Sequence, residues 1–216
     1  MLKIEHLTKT YGDKKAVENL SLHIEKGCIY GFIGHNGAGK TTTIKAVCGI
    51  LQYDEGNILI DGISMKQSPL ECKQKMAYIP DNPNLYEFMS GIRYLNFIAD
   101  VYGVGREERE ERIARYAALF SLTDDLAQPI SAYSHGMKQK LAIIAALIHE
   151  PSLVIMDEPF AGMDENTMDI TIQWILAHTD GRTLLISTHD AGIASRMNAR
   201  LISHNVHNDK GQESDR

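Results

Sequence analysis

The sequence predicts an α/β protein with a mostly parallel central sheet, and three observations lead there. Cys28 to Ile33 (CIYGFI), Leu153 to Met156 and Thr183 to Ile186 are continuous apolar runs, which suit strands buried on both faces. Helical patterns lie between these runs, and strands alternating with helices assemble as βα units. A glycine-rich segment follows the first run directly and precedes a helical stretch, the context of a strand-to-helix turn in such units.

The first third reads as further strands. Leu2, Ile4 and His6 alternate with polar positions, as do Leu20, Leu22 and Ile24, and Asn57 to Ile60 begins another run before Asp61-Gly62. From about Ser90 to Glu150 the texture changes to consecutive helices without a convincing strand. Within Arg106 to Phe120 (REEREERIARYAALF), Glu108 stands four residues before Arg112 and Glu111 four before Arg115, the favourable order for helical ion pairs on a solvated face. A helical block between strands predicts a subdomain inserted into an α/β domain. Arg200 to Ser203 is strand-like, and the polar tail from Asn205 is expected to fray.

The 216 residues are 44% hydrophobic and 23% charged, enough apolar material for a real core and too much for a disordered chain. With 28 acidic and 22 basic residues, the formal charge of -6 disfavours a surface built to neutralise duplex phosphates. The longest apolar run, Leu141 to Ile148, falls far short of the roughly 20 residues that cross a bilayer. The opening segment, Met1 to Lys15, has no signal-peptide core, so a cytosolic protein is expected. Cys28, Cys48 and Cys72 lack metal-ligand spacing and read as inert thiols.

The chemistry is concentrated in two segments. Gly34-His35-Asn36-Gly37-Ala38-Gly39-Lys40-Thr41 fits GxxxxGK[ST]. Its glycines let successive N–H groups curl around an anion, and the helix that follows adds its positive end. Lys40 is expected to reach the β- and γ-phosphates of a nucleotide, and the Thr41 hydroxyl to hold Mg²⁺. The run Leu153 to Met156 then ends in Asp157-Glu158-Pro159, which delivers two carboxylates to the same sheet edge. Asp157 suits the Mg²⁺ shell and Glu158 suits polarisation of an attacking water, a task that a phosphate-transferring kinase does not need.

With these residues on the page, the sequence resembles the nucleotide-binding subunit of ABC transporters along nearly its whole length. Tyr133-Ser134-His135-Gly136-Met137-Lys138-Gln139 resembles the family's serine-glycine signature, with His135 for a glycine and Met137 for a glutamine, a form similar to that of drug, peptide and polysaccharide exporters. Ser134 and Gly136 match the positions that touch the γ-phosphate of a partner subunit's ATP, and Ser134 also suits a helix N-cap. Tyr11 matches the aromatic that stacks on adenine, and Ala161-Gly162-Met163-Asp164 the loop that crosses the dimer interface. His189, in Ser187-Thr188-His189-Asp190, matches the histidine at the γ-phosphate; the other eight histidines are expected mostly at the surface. Asp81 stands where the family has a glutamine that senses Mg²⁺; a carboxylate there can bind the cation or weaken nucleotide binding by its charge.

The resemblance implies a P-loop NTPase (RecA-like) core, an N-terminal antiparallel β subdomain and an inserted helical subdomain at about 84–150. One ATPase domain at 1–204 and a tail at 205–216 follow. Catalytic roles fall to Glu158, His189 and Lys40. ATP contacts fall to Tyr11, to Gly34 through Thr42 (Gly34, His35, Asn36, Gly37, Ala38, Gly39, Lys40, Thr41, Thr42), and to Ser134 and Gly136 across a dimer. Mg²⁺ falls to Thr41, Asp157 and Asp81. The implied partners are a second ATP-binding subunit and a transmembrane permease met by the helical insert and the aromatic segment 84–98, at the cytoplasmic face of the membrane, with no nucleic acid. Two other classes compete: a soluble ATP-gated clamp on nucleic acid or ribosomes, and a metabolite kinase. The single cassette and negative charge disfavour the first; Glu158, Ser134-x-Gly136 and His189 disfavour the second.

Overall fold

A computed structural model describes residues 1–35, 37–160, 163–177 and 181–203. Strands β1 (Leu2–Tyr11) and β2 (Lys14–Ile24) form a hairpin, and β3 (Ile29–Ile33) leads into α1 (Lys40–Val47). Next come β4 (Glu55–Ile60), β5 (Ile63–Ser64), α2 (Pro69–Lys75) and β6 (Met76–Ile79). The helical block follows with α3 (Gly91–Val101), α4 (Arg106–Leu119) and α5 (His135–Leu147). The chain then alternates through β7 (Leu153–Asp157), α6 (Glu165–Ala177), β8 (Thr183–Thr188), α7 (Ala191–Arg196) and β9 (Arg200–Ser203).

Two sheets result. One is antiparallel in the order β2-β1-β4-β5; the other is parallel in the order β6-β7-β8-β3-β9. The apolar runs are buried on both faces because the parallel sheet separates two cores. Val154, Met156, Leu184 and Ile186 pack toward the helical block, while Leu153, Ile155 and Leu185 pack with α1 and the antiparallel sheet. Each such side chain contributes about 1.5–3 kcal/mol of apolar burial, which is why these strands need no polar face.

Four local expectations change. His6 does not continue the alternation of Leu2 and Ile4: a register shift lies between Ile4 and Leu7, His6 is exposed with φ 52°, and Leu7 takes the inward position. A bulge of this kind adds a residue to one strand and turns its side chain outward. Strand β4 passes close by, so a Cβ at Gly56 would lie 2.5 Å from the Glu5 carbonyl. The Glu108–Arg112 pair forms at 3.5 Å, but Arg115 pairs with Glu150 at 2.7 Å instead of Glu111. The face of α4 bearing Arg112 and Arg115 is therefore docked rather than simply solvated: Arg112 also donates to the Ile148 carbonyl at 2.9 Å, and Arg182 comes within 3.7 Å of Glu150. The Arg115 hydrogen bond and the neighbouring guanidiniums hold the Glu150 carboxyl below its ordinary pKa. His149, finally, is half-buried, with its ring stacked on Tyr102 at 3.7 Å and Nε2 3.1 Å from the Met76 carbonyl. Desolvation lowers its pKa.

Candidate active site

Because β3, β7 and β8 run parallel, their carboxyl ends meet at one edge. Ile33 pairs with Thr188, and Asp157 with Ser187. Ligand clefts in open α/β sheets form at that edge. Here a cleft of about 450 Å³ brings together Tyr11, His35, the segment Gly37 to Thr42, Asp81 and Glu158. Lys14 and Ala16 complete the lining, and no motif of the sequence marks them. The available signal was position: both open β2 directly after the turn that follows Tyr11, and Lys14 pairs with Tyr11 across the hairpin, so the partner strand runs past the same cleft. Gly34 is not in that lining but its carbonyl accepts from the Lys40 ammonium, and Asn36 lies outside the described residues.

The loop conformation depends on glycine. Gly37 and Gly39 have φ of 85° and 91°, values that side chains with a Cβ rarely adopt, and Gly39 is the N-cap of α1. Its carbonyl accepts from Thr43 N at 2.8 Å, and no acidic residue stands in the first turn, so the positive end of α1 opens onto the cleft. Lys40 is only 6% exposed. Its ammonium donates to the carbonyls of Gly34 and, at 3.4 Å, His35, and lies 3.9 Å from Glu158 Oε1. A buried cation held by carbonyls beside the N-terminus of a helix suits a polyanion.

Opposite Lys40 stand the acidic residues. Asp157 is 2% exposed, and its Oδ1 accepts from Ser187 Oγ at 2.5 Å. Glu158 adopts φ 47°, and its N–H is shared between Ser187 Oγ at 3.0 Å and the Ser187 carbonyl at 3.2 Å. Glu158 Oε2 lies 3.0 Å from His189 Nδ1, on an exposed imidazole just past β8. Lys40, Glu158 and His189 thus form a connected row. Burial, with Asp157 nearby, raises the Cys48 thiol and the Tyr78 hydroxyl above their ordinary pKa values, so both stay neutral.

The donors suit the expected ligands. The Thr41 hydroxyl and the Asp157 and Asp81 carboxylates are hard oxygen donors, the chemistry that Mg²⁺ takes. Such a donor set would leave room in the cation's shell for water and phosphate oxygens. Asp81 reaches the lining from the segment after β6, with Oδ1 accepting from Asn82 N at 2.8 Å. Tyr11 is half exposed at the rim, with Lys9 Nζ 5.4 Å from its ring centre.

Ser134 and Gly136 do not line this cleft. Ser134 caps α5, its Oγ accepting from Met137 N at 3.3 Å, and Gly136 faces Asp164, whose Oδ2 is the nearest atom to a Cβ built there, at 4.0 Å. Asp164 itself accepts from Thr167 N and Oγ1 at 2.9 and 2.7 Å, which lowers its pKa. Ala161 and Gly162 of that loop lie outside the described residues, as does the tail at 205–216. Helix α5 is tied to the Glu158 segment by Gln139, whose buried amide donates to the Pro159 carbonyl at 3.2 Å.

Comparison with known proteins shows the family. A family profile described as ABC transporter matches residues 17–161. The linearmycin resistance ATP-binding protein LnrL of Bacillus subtilis is 34% identical over 190 residues, 88% of this chain and 61% of LnrL. The chain therefore spans less than two thirds of that relative's length. The ABC-type transporter ATP-binding protein EcsA of Bacillus subtilis is 33% identical over 207 residues, 95% of this chain and 84% of EcsA. A solved ATP-binding subunit of an ABC transporter superposes with a TM-score of 0.89 at 32% identity, covering 94% of this chain and 85% of that one. With the profile spanning residues 17–161 and relatives of this identity and coverage, the chain belongs to the ABC transporter family.

Proposed function

We propose that the chain is the ATP-binding and ATP-hydrolysing subunit of a membrane ABC transporter, an exporter, acting at the cytoplasmic face of the membrane. The observation that carries this reading is the row Lys40–Glu158–His189 at the mouth of a glycine-lined cleft. The loop Gly34 to Thr42 and Lys40 bind the triphosphate, and Tyr11 stacks on the base at the rim. When bound, Mg²⁺ held by Thr41, Asp157 and Asp81 supplies positive charge to the phosphates. Glu158 takes a proton from the attacking water at its carboxylate, and His189 holds that carboxylate in place.

Ser134 and Gly136 stand on a different surface from the cleft, which supports their use on the nucleotide of a second copy. Two cassettes facing head to tail would then bury two ATP molecules, and hydrolysis would release them. A groove of about 290 Å³ lies between the helical block and the stretch after β6, lined by Tyr78, Pro80, Tyr94, Tyr102 and His149 among others. Beside it an aromatic cluster surfaces, with Phe88 82% exposed and stacked on Tyr86. This apolar groove suits the cytoplasmic helices of a permease subunit. Among the described residues no helix is long and apolar enough to cross a membrane.

The test is purification of the tagged chain from detergent-solubilised membranes with mass spectrometry of what accompanies it. A stoichiometric polytopic membrane protein is expected. Recovery with ribosomes or nucleic acid from the soluble fraction would overturn the membrane assignment while leaving the ATPase site intact.

A further inference from the structure

Strand β8 carries an anomaly for a doubly buried strand. After Leu184, Leu185 and Ile186 it places a hydroxyl, Ser187, at a position with 0% exposure. A buried hydroxyl is costly unless its hydrogen and a lone pair both find partners. Those of Ser187 do so at the two residues that matter most to the cleft. Oγ donates its one hydrogen to Asp157 Oδ1 at 2.5 Å and accepts from the Glu158 backbone N–H at 3.0 Å. The serine sits opposite Asp157 in the strand register, so one side chain bridges the last residue of β7 and the left-handed turn that follows it.

We propose that Ser187 is a positioning residue for the divalent cation and for the Glu158 carboxylate, a role that rests on the ATPase reading above. Its hydrogen commits Asp157 Oδ1, which fixes the carboxylate plane and leaves Oδ2 as the oxygen for the cation. Its lone pair helps hold the Glu158 N–H, and with it the φ of 47° that turns the side chain toward Lys40 and His189. Hydrogen bonds made to metal-ligating carboxylates from behind commonly govern metal affinity by about 10- to 100-fold.

The experiment is titration of Mn²⁺, followed by electron paramagnetic resonance, into the full chain with a non-hydrolysable ATP analogue. Wild type is compared with Ser187→Ala and Ser187→Thr, with thermal midpoints recorded for each. The expected result is a Mn²⁺ affinity about tenfold weaker in Ser187→Ala and restored to within about threefold by Ser187→Thr, which keeps the hydroxyl. If Ser187→Ala does not fold, Ser187→Cys, a similar shape with a weak donor, carries the same expectation of loss. A folded Ala or Cys variant with wild-type Mn²⁺ affinity would overturn the proposal and leave Ser187 as a sheet residue. A wild-type chain that binds no nucleotide at saturating Mn²⁺ would instead overturn the ATPase reading, so the two failures are distinct.

Discussion

His189 Nδ1 lies 3.0 Å from Glu158 Oε2, joining the residue just past β8 to the residue just past β7. The contact makes the two side chains one unit, and units lose activity non-additively. Glu158→Gln is expected to bind ATP yet hydrolyse it at least about a hundredfold more slowly, the scale of a lost general base. It should also accumulate as an ATP-bound dimer in light scattering. His189→Ala should slow hydrolysis by about tenfold or more, and adding it to Glu158→Gln should cost little further. Fully multiplicative losses in the double variant would mean that the two act separately.

Lys40 is a buried ammonium supported by carbonyls, with Glu158 as its nearest carboxylate. Replacing it with alanine removes the deepest cation of the cleft while leaving the glycine turns intact. Affinity for a fluorescent ATP analogue should fall about tenfold or more, by fluorescence titration. Unchanged binding would count against the loop as the phosphate site.

Asp81 adds a second carboxylate to the lining beside Glu158. Metal-free ATP therefore meets more negative charge than a glutamine would present, whereas a bound cation offsets it. Binding of ATP should be strongly weaker in EDTA than in Mg²⁺, and Asp81→Asn should narrow that ratio by about tenfold. An unaltered ratio would show that the Asp81 charge does not reach the phosphates.

Glu150 gathers three guanidiniums from α4 and the turn before β8. Its pKa is lowered on folding, chiefly by the Arg115 hydrogen bond, so its contribution is present in full above the ordinary glutamate pKa and is lost as pH falls from there through the lowered pKa of the folded state. Glu150→Gln should cost about 1 kcal/mol at neutral pH, discounted for its partial exposure. Urea unfolding of both proteins should show the gap closing below about pH 5. A gap that is independent of pH would assign the loss to packing rather than charge.

The parts of this molecule that were legible in the sequence are those whose cause is local. The runs at Ile29, Leu153 and Thr183 form strands because nothing polar interrupts them, and Ser134 caps α5 because an oxygen before a helical run has N–H groups to accept from. The glycine loop announced itself because its φ values restrict the residue types. Contacts that join distant segments were not legible. Arg115 finds Glu150 35 residues away rather than Glu111 at four, and Ser187 finds Asp157 30 residues back. The bulge at His6 depends on the passage of β4, which no window around residue 6 contains. Helix α2 is short and mixed in pattern, with only Cys72 buried, so no periodicity marks it.

The strand order has a consequence for biosynthesis. Strand β3 carries the phosphate loop, yet within its sheet its neighbours are β8 and β9, the last strands of the described chain. A ribosome therefore releases the loop early but its support late. The antiparallel hairpin of β1 and β2 can close at once, while β3 waits with both hydrogen-bonding edges unpaired. Nascent chains stalled before Thr183 should be chaperone clients without nucleotide affinity, and competence for ATP should arrive in one step as β8 emerges.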